Sequence, residues 1–258
     1  MTSDRQPAFE TLAIHAGAAP DPATGARITP IYQTASYVFD DADHAAALFN
    51  LQAFGNIYTR LTNPTQAVLE ARLAALEGGT AALAAASGHG AQLLVFHTLL
   101  EPGDDFIAAR QLYGGSINQF NQSFKKFGWN VIWADANEPA SFERALTPKT
   151  KAIFIESIAN PGGIVIDIPA IAAVAKKAGV PLIVDNTLAT PYLCRPKEFG
   201  ADIIVHSLTK FLGGHGNSLG GVLVDCGTFD WMASGRYPTL SEPNASYHGM
   251  VMGETFGN

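Results

Sequence analysis

A single lysine, Lys210, stands where a short apolar strand meets a glycine-rich turn. Residues 203–205 of the strand are Ile-Ile-Val, and Gly213 and Gly214 follow the lysine closely. A run of β-branched residues predicts a buried strand, and apolar surroundings favour the neutral, nucleophilic form of a lysine amine. Such an amine suits Schiff-base chemistry with a carbonyl compound. The alternative is an ordinary surface lysine at the end of a strand.

Two features of the sequence are suited to bind phosphate, one next to this lysine and one distant from it in the chain. The hydroxyls of Ser207 and Thr209 flank it, and the turn at residues 87–90, Ser-Gly-His-Gly, precedes a predicted apolar helix. A helix N-terminus presents free N–H groups and the positive end of a dipole, which favour a dianionic phosphate. The turn alone is weak evidence, because many strand-to-helix turns look like it.

Asp185 ends the apolar run at residues 180–184. A carboxylate there needs a cationic or hydrogen-bonding partner, because an unpaired buried charge costs several kcal/mol. A protonated pyridine nitrogen is such a partner, and one connection and one strand separate Asp185 from Lys210, so both can reach one bound ring. The alternative is a helix cap or an Asx turn through Asp185 and Asn186.

Helices and strands alternate along most of the chain. The pattern predicts helices over residues 43–49, 66–76 (with Thr65 as its cap), 91–100, 116–127, 140–146 and 168–178. Strands are predicted over residues 80–85, 105–109, 131–134, 152–156, 182–185, 203–205 and 220–225. This alternation indicates an α/β fold, a mostly parallel sheet with helices on both faces and a ligand site at the carboxyl ends of the strands.

Composition narrows the possible classes of protein. With 258 residues, 47% hydrophobic and 15% charged, the chain can bury the core of one large α/β domain with extensions. A net charge of −7 without a basic block argues against nucleic-acid binding, and no apolar run approaches the roughly 18 residues of a membrane span. Cys194 and Cys226 offer neither a disulfide framework nor metal-ligand spacing. Residues 1–20 lack a basic start followed by an apolar core, so we expect no secretory signal. We therefore expect a cytoplasmic protein without a metal site.

The lysine segment resembles the cofactor-lysine signature of the Cys/Met-metabolism family of pyridoxal-phosphate (PLP) enzymes. The matching positions are Asp202, Thr209, Lys210, Phe211 and Gly214-His215-Gly216. Two earlier stretches, residues 29–34 and 58–65, resemble the same family. The resemblance implies PLP as the cofactor and the large domain of a fold-type I PLP-dependent transferase, similar to aspartate aminotransferase.

The family's site residues carry over to matching positions in this sequence. The resemblance implies that Lys210 holds PLP and then acts as a base, and that Asp185 pairs with the pyridine nitrogen. Tyr113, on a glycine-flanked loop, is suited to stack on the ring, with a core tyrosine as the alternative. Tyr58 and Tyr113 are candidate proton carriers. The implied phosphate ligands are Gly88, His89, Ser207, Thr209 and, across a dimer interface, Tyr58 and Arg60; Asn160 and Thr187 line the ring.

Residues 1–66 are predicted to form an N-terminal arm and residues 67–258 the PLP-binding large domain. The arm is poorly periodic yet rich in aromatic residues, so we expect it to pack on its own domain or on a neighbouring subunit. In the family a smaller C-terminal domain follows, which we expect to be missing here together with the arginine that binds the substrate carboxylate. The expected assembly is a homo-oligomer, a dimer of dimers with shared active sites.

The segment at residues 235–243 resembles the insertion that marks the O-acetylhomoserine sulfhydrylase branch of the family. The implied reaction is γ-replacement: O-acetyl-L-homoserine and sulfide or a thiol give L-homocysteine or a thioether amino acid, plus acetate, in methionine and cysteine biosynthesis. The loop at residues 236–243, stiffened by Pro238 and Pro243, is predicted to form a wall of the pocket that excludes water. The alternative is a surface excursion without contact to the site.

Several rival functions share these motifs. Within the family they are O-succinylhomoserine sulfhydrylase, cystathionine γ-synthase and the methionine or cystathionine γ-lyases. From a different class, the rival is a non-catalytic protein that binds PLP.

Overall fold

The computed structural model describes residues 7–257. Two compact units follow one another along the chain, Met1–Leu76 and Glu77–Asn258. The predicted arm, residues 1–66, lies within the first unit. In the described part of the chain, no helix is long and apolar enough to cross a membrane.

The first unit contains helices α1 (Phe9–His15) and α2 (Ala42–Phe49) and most of α3 (Pro64–Glu77). Helix α1 was not predicted, because it lacks a side-chain cap and buries none of its residues. The prediction that Thr65 caps α3 is wrong. The Asn63 side chain accepts the Thr65 N–H at 2.9 Å, which is the geometry of an asparagine cap followed by proline at the first helical position.

The second unit is built on a seven-stranded sheet in the order β1-β7-β6-β5-β4-β2-β3. Neighbouring strands are parallel except that β7 runs antiparallel to both β1 and β6. The strands are β1 (Ala81–Ala85), β2 (Asp105–Ala109), β3 (Asn130–Ala134), β4 (Thr150–Glu156), β5 (Leu182–Asp185), β6 (Ile203–Ser207) and β7 (Gly221–Asp225).

Helices connect most of these strands, as the alternating pattern predicts, and three short helices that were not predicted follow β7. The helices are α4 (Gly88–Leu99), α5 (Gly114–Asn118), α6 (Pro139–Ala145), α7 (Ile168–Ala178), α8 (Thr190–Leu193), α9 (Trp231–Ser234), α10 (Pro238–Ser241) and α11 (Met252–Phe256). The predicted helix over 116–127 is divided, because α5 continues into a π-helical turn (Gln119–Ser123) and a 3-10 turn (Phe124–Phe127). The fold class, α/β with a mostly parallel sheet, is confirmed.

The core contains five buried phenylalanines in mutual ring contact. Phe96 of α4 and Phe106 of β2 have centroids 4.4 Å apart, and Phe154 of β4 lies 5.1 Å from Phe120. Phe124 completes the group, and all five side chains are at most 1% exposed. This packing fixes α4 against the centre of the sheet, which positions the N-terminus of α4 at the carboxyl ends of the strands.

Candidate active site

The carboxyl ends of four strands meet at one edge of the sheet. Glu156 of β4 pairs in register with Asp185 of β5, and Asp185 pairs with Val205 of β6. Gly221, at the start of antiparallel β7, pairs with Ser207 on one side and with Ala85 on the other. The edge predicted to hold the ligand therefore carries the carboxylate of Asp185, the lysine segment after β6 and the turn after β1.

The turn before α4 packs directly against the end of β6. A Cβ atom added to Gly88 would lie 2.9 Å from Cβ of Ser207, so only glycine allows this approach. The Ser87 hydroxyl accepts the Gly90 N–H at 3.0 Å and caps the helix. The N–H groups of Gly88 and His89 have no partner among the described residues, which leaves them available for an anion.

Asp185 is held by donors from two elements. Its Oδ1 accepts both the N–H and the hydroxyl of Thr187, at 3.0 and 2.5 Å, and its Oδ2 accepts from Gln92 Nε2 at 3.2 Å. The Asx turn considered as the alternative role is therefore present. Thr187 also accepts the Ser207 N–H at 2.8 Å, so one hydroxyl joins the ends of β5 and β6. These donors keep a negative charge in place at the edge of the sheet.

Tyr113 lies on the loop before α5 with half of its surface exposed. Its ring stacks on His89 with centroids 5.8 Å apart and planes 30° apart. A Cβ atom on Gly115 would lie 2.4 Å from the Tyr113 ring, so the glycine makes room for this orientation. Burial lowers the pKa of His89, and the Asp185 carboxylate acts in the opposite direction. The two rings provide a flat platform beside Asp185.

Lys210 follows the end of β6 and is exposed. The expectation that apolar surroundings enclose its amine is wrong, because the lysine lies in the turn three residues beyond the end of the strand. Its Nζ has no partner among the described residues, so the amine is accessible to a ligand. The neighbouring Thr209 hydroxyl exchanges hydrogen bonds with the backbone of Gly220, at 3.2 and 3.3 Å.

Tyr58 and Arg60 belong to the first unit, where both are exposed. The Arg60 guanidinium lies 5.8 Å from the centre of the Tyr58 ring. Hydrogen bonds bring together the two stretches that resemble the family: Thr65 donates to Pro30 at 2.8 Å and accepts from the Tyr32 N–H at 2.9 Å. The arm therefore presents an exposed tyrosine beside an arginine, and their role in binding stays a prediction.

Comparisons with known proteins identify the family. The family model "Cys/Met metabolism PLP-dependent enzyme" matches residues 10–247. The chain belongs to the Cys/Met metabolism PLP-dependent enzyme family. It is 52% identical to an O-acetyl-L-homoserine sulfhydrylase from Leptospira meyeri, over 96% of this chain and 56% of that protein. The chain thus spans about half the length of this curated relative.

Solved structures of this family show the same fold. An O-acetylhomoserine (thiol)-lyase from Campylobacter jejuni, described with N'-pyridoxyl-lysine-5'-monophosphate, has a TM-score of 0.93 at 39% identity, over 96% of this chain and 61% of that chain. A cystathionine γ-lyase from Lactobacillus plantarum has a TM-score of 0.78 at 37% identity, over 85% of this chain and 55% of that chain. The predicted fold-type I PLP-dependent architecture is confirmed.

The residues at the sheet edge fit the PLP that this family uses. The unpartnered N–H groups of Gly88 and His89 suit its phosphate, and the Asp185 carboxylate suits a protonated pyridine nitrogen. The exposed Tyr113 ring suits a flat heterocycle, and the free amine of Lys210 suits an aldehyde. Thr187 supports Asp185, whereas the exposed Asn160 lies on the loop after β4.

Two residues beside the PLP site were not singled out from the sequence. Gln92 of α4 donates to Asp185, and Glu156 accepts the backbone N–H groups of Tyr113 and Asn160. Burial first, and then repulsion from Asp185, raise the pKa of Glu156 to about 7. Glu156 carried a usable signal, since it ends an apolar strand just as Asp185 does. Gln92 carried none, because a single polar residue on a helix has many possible roles.

The prediction that the loop at residues 236–243 forms a wall of the pocket is wrong for the pocket at this sheet edge. The Arg236 guanidinium donates to the carbonyl oxygens of Thr150, Ala178 and Gly179, and the Tyr237 hydroxyl donates to that of Lys151 at 2.8 Å. Thr150 begins β4, so the loop lies at the amino ends of the strands. Tyr237 is fully buried because its ring packs on Phe229 and Trp231. The described residues contain no cluster of three or more potential metal ligands.

Proposed function

We propose that the complete protein catalyses γ-replacement, in which O-acetyl-L-homoserine and sulfide or a small thiol give L-homocysteine or a thioether amino acid, plus acetate. One observation carries the proposal: Lys210, Asp185, Tyr113 and the N-terminus of α4 meet at one sheet edge, in a chain 52% identical to a named O-acetyl-L-homoserine sulfhydrylase. The cytoplasm as its compartment and a dimer of dimers as its assembly remain predictions.

Each group at the sheet edge has a defined task in this reaction. Bound PLP supplies an electron sink for the charge that develops at the substrate α-carbon. The Lys210 amine would hold the cofactor and, when free, would accept and return protons at the substrate carbons. Asp185 holds the proton on the pyridine nitrogen, and the N–H groups at the start of α4 bind the phosphate.

Tyr58 and Arg60 are proposed to complete the phosphate site of a second subunit. Their support is the exposed pair of side chains in the arm, within the stretch that resembles the family's dimer-crossing segment. Mixed dimers of Arg60→Ala and Lys210→Ala subunits should recover part of the activity, because one site of each hybrid retains both residues. Hybrids as inactive as either parent variant would instead indicate a site built within one subunit.

Product analysis tests the proposed reaction. We expect the complete protein to convert O-acetylhomoserine and sulfide mainly to homocysteine, and to form little 2-oxobutyrate when sulfide is withheld. The control is the same assay with the succinyl ester. Rapid 2-oxobutyrate formation without sulfide, or a strong preference for the succinyl ester, would contradict the proposal.

The second candidate function is γ-elimination. It is supported by the likeness to the Lactobacillus plantarum cystathionine γ-lyase, which has the same fold at 37% identity. The residues at the sheet edge serve both reactions, and the loop at residues 236–243 does not separate them because it lies at the other end of the strands. A chain that binds PLP but leaves its absorbance unchanged on addition of O-acetylhomoserine would be a non-catalytic binder.

A further inference from the structure

Glu156 is a buried carboxylate directly beside Asp185. It is the last residue of β4, pairs in register with Asp185 and is 5% exposed. Its two oxygens bind two different loops: Oε1 accepts the Tyr113 N–H at 2.7 Å, and Oε2 accepts the Asn160 N–H at 3.0 Å. The Tyr113 loop carries the ring platform, and the Asn160 loop follows β4. A single side chain therefore binds two loops at the carboxyl ends of the strands, where the PLP site is proposed; we call this the cofactor edge.

The chemistry of this contact requires a carboxylate. Two N–H donors approach opposite oxygens, and a carboxylate offers an acceptor at each. A glutamine offers one acceptor and would direct its NH2 group at the second N–H. A shorter aspartate keeps the charge but is one methylene too short to reach both loops from the same backbone position.

The charges around Glu156 come mainly from one side. Burial is the larger cause of the raised pKa of Glu156. Repulsion from the Asp185 carboxylate on β5 is the second cause. On the other side, β2 is buried and apolar over Phe106–Ala109, and the Arg110 charge acts on Asp135. From α4, His89 and Gln92 face Asp185. Lys210, after β6, is exposed.

We propose that Glu156 is a positioning residue that holds the Tyr113 and Asn160 loops at the ring site and loses a proton when the cofactor neutralises Asp185. This inference rests on the proposed PLP site. A pyridinium beside Asp185 screens the repulsion between the two carboxylates, so the pKa of Glu156 falls below its value of about 7 in the cofactor-free protein. Binding of PLP is thereby coupled to release of a proton from the carboxyl beside Asp185.

Proton release on PLP binding tests the coupling. The purified cofactor-free protein is titrated with PLP at pH 7 in weak buffer with an indicator dye. The parent should release up to about half a proton more than Glu156→Gln, since a group with a pKa near 7 is about half protonated there. Glu143→Gln makes the same chemical change at an exposed glutamate paired with Lys177, and it should match the parent.

Two further readouts test the positioning of the loops. Glu156→Gln should bind PLP about tenfold more weakly, the effect of losing one hydrogen bond. It should also alter the circular dichroism of bound PLP, because the ring platform shifts. Glu156→Asp should alter the dichroism but retain the excess proton release.

Equal proton release and equal dichroism in the parent and Glu156→Gln would overturn the inference while leaving the PLP site intact. A parent protein that binds no PLP would overturn the proposed function itself. If Glu156→Gln does not fold, carbon-13 NMR of the parent labelled at glutamate carboxyls decides the matter. We expect one carboxyl to titrate near pH 7 and to shift to lower pH with PLP; the lack of such a carboxyl would contradict the inference.

Discussion

Two groups of polar side chains meet at the end of β5, where Asp185 belongs to the first group and the next residue, Asn186, to the second. The first, at the cofactor edge, contains Asp185 and Glu156. The second consists of Asn186, His206 and Glu77, all of them completely buried. In this sealed cluster His206 Nε2 and Glu77 Oε1 are 2.6 Å apart, and the Asn186 side chain donates to the same Glu77 oxygen at 2.9 Å.

The two groups differ in how their charges are balanced. In the sealed cluster the Glu77 carboxylate meets the Asn186 amide and the His206 ring, so each of the three side chains has a polar partner inside the protein. At the cofactor edge two carboxylates repel each other, and hydrogen bonds from the protein only partly compensate them. An excess of negative charge facing an open site is expected where a cationic ligand binds. The contrast indicates that the sealed cluster stabilises the fold and that the group at the cofactor edge serves function.

Asp185→Asn should separate function from stability at the cofactor edge. We expect kcat/KM to fall by roughly a hundred- to a thousandfold, the usual cost of removing one electrostatic contact to a transition state. Stability should change little, because an asparagine still accepts from Thr187. Asp167→Asn, at the exposed N-cap of α7, is the matched control and should leave activity unchanged. A large loss of stability with normal activity of the folded fraction would make Asp185 a structural cap.

Glu77→Ala should have the opposite effect in the sealed cluster. Removing Glu77 leaves His206 Nε2 and the Asn186 amide buried without their shared acceptor, so the free energy of unfolding should fall by about 3 kcal/mol. Urea unfolding measures this. Glu143→Ala at the surface should cost less than about 1 kcal/mol, and the double variant Glu77→Leu/His206→Leu should be more stable than Glu77→Ala. A single variant as stable as the parent would contradict the role assigned to this cluster.

The stability of the cofactor-free protein should depend on Glu156 in one pH range. Because burial and Asp185 raise its pKa from 4.5 to about 7, its contribution is fully present below pH 4.5 and is lost as the pH rises through 7. The loss is at most about 3 kcal/mol. We therefore expect the stability difference between the parent and Glu156→Gln to change between pH 4 and pH 8, as measured by urea unfolding. A difference independent of pH would show that Glu156 titrates at an ordinary pKa.

The fold was predictable because local patterns and tertiary structure agree along the second unit. Strands β2 and β5 and helix α7 have the predicted bounds, since each combines an apolar run with clear turn residues. Helix α1 and the short helices after β7 were missed. They are too short for periodicity to distinguish them, and their positions depend on packing.

The candidate site was predictable where single residues end apolar strands, as Asp185 does. The partners Gln92 and Glu156 were not predicted. Their contacts join residues that are distant in sequence, and only the tertiary fold brings these residues together. The loop at residues 236–243 shows the limit of a motif. Its two prolines predicted a stiff wall of the pocket, but only the fold shows that Arg236 and Tyr237 lie at the amino ends of the strands.

The most direct test of the central claim is to locate the lysine that binds PLP. The purified protein is incubated with PLP, reduced with borohydride, digested and analysed by mass spectrometry, with Lys210→Ala as the control. The account predicts a pyridoxyl group on Lys210 in the parent and no single labelled site in the variant. Labelling confined to another lysine, or none at all with correctly folded protein, would contradict the claim that this edge of the sheet is the cofactor site.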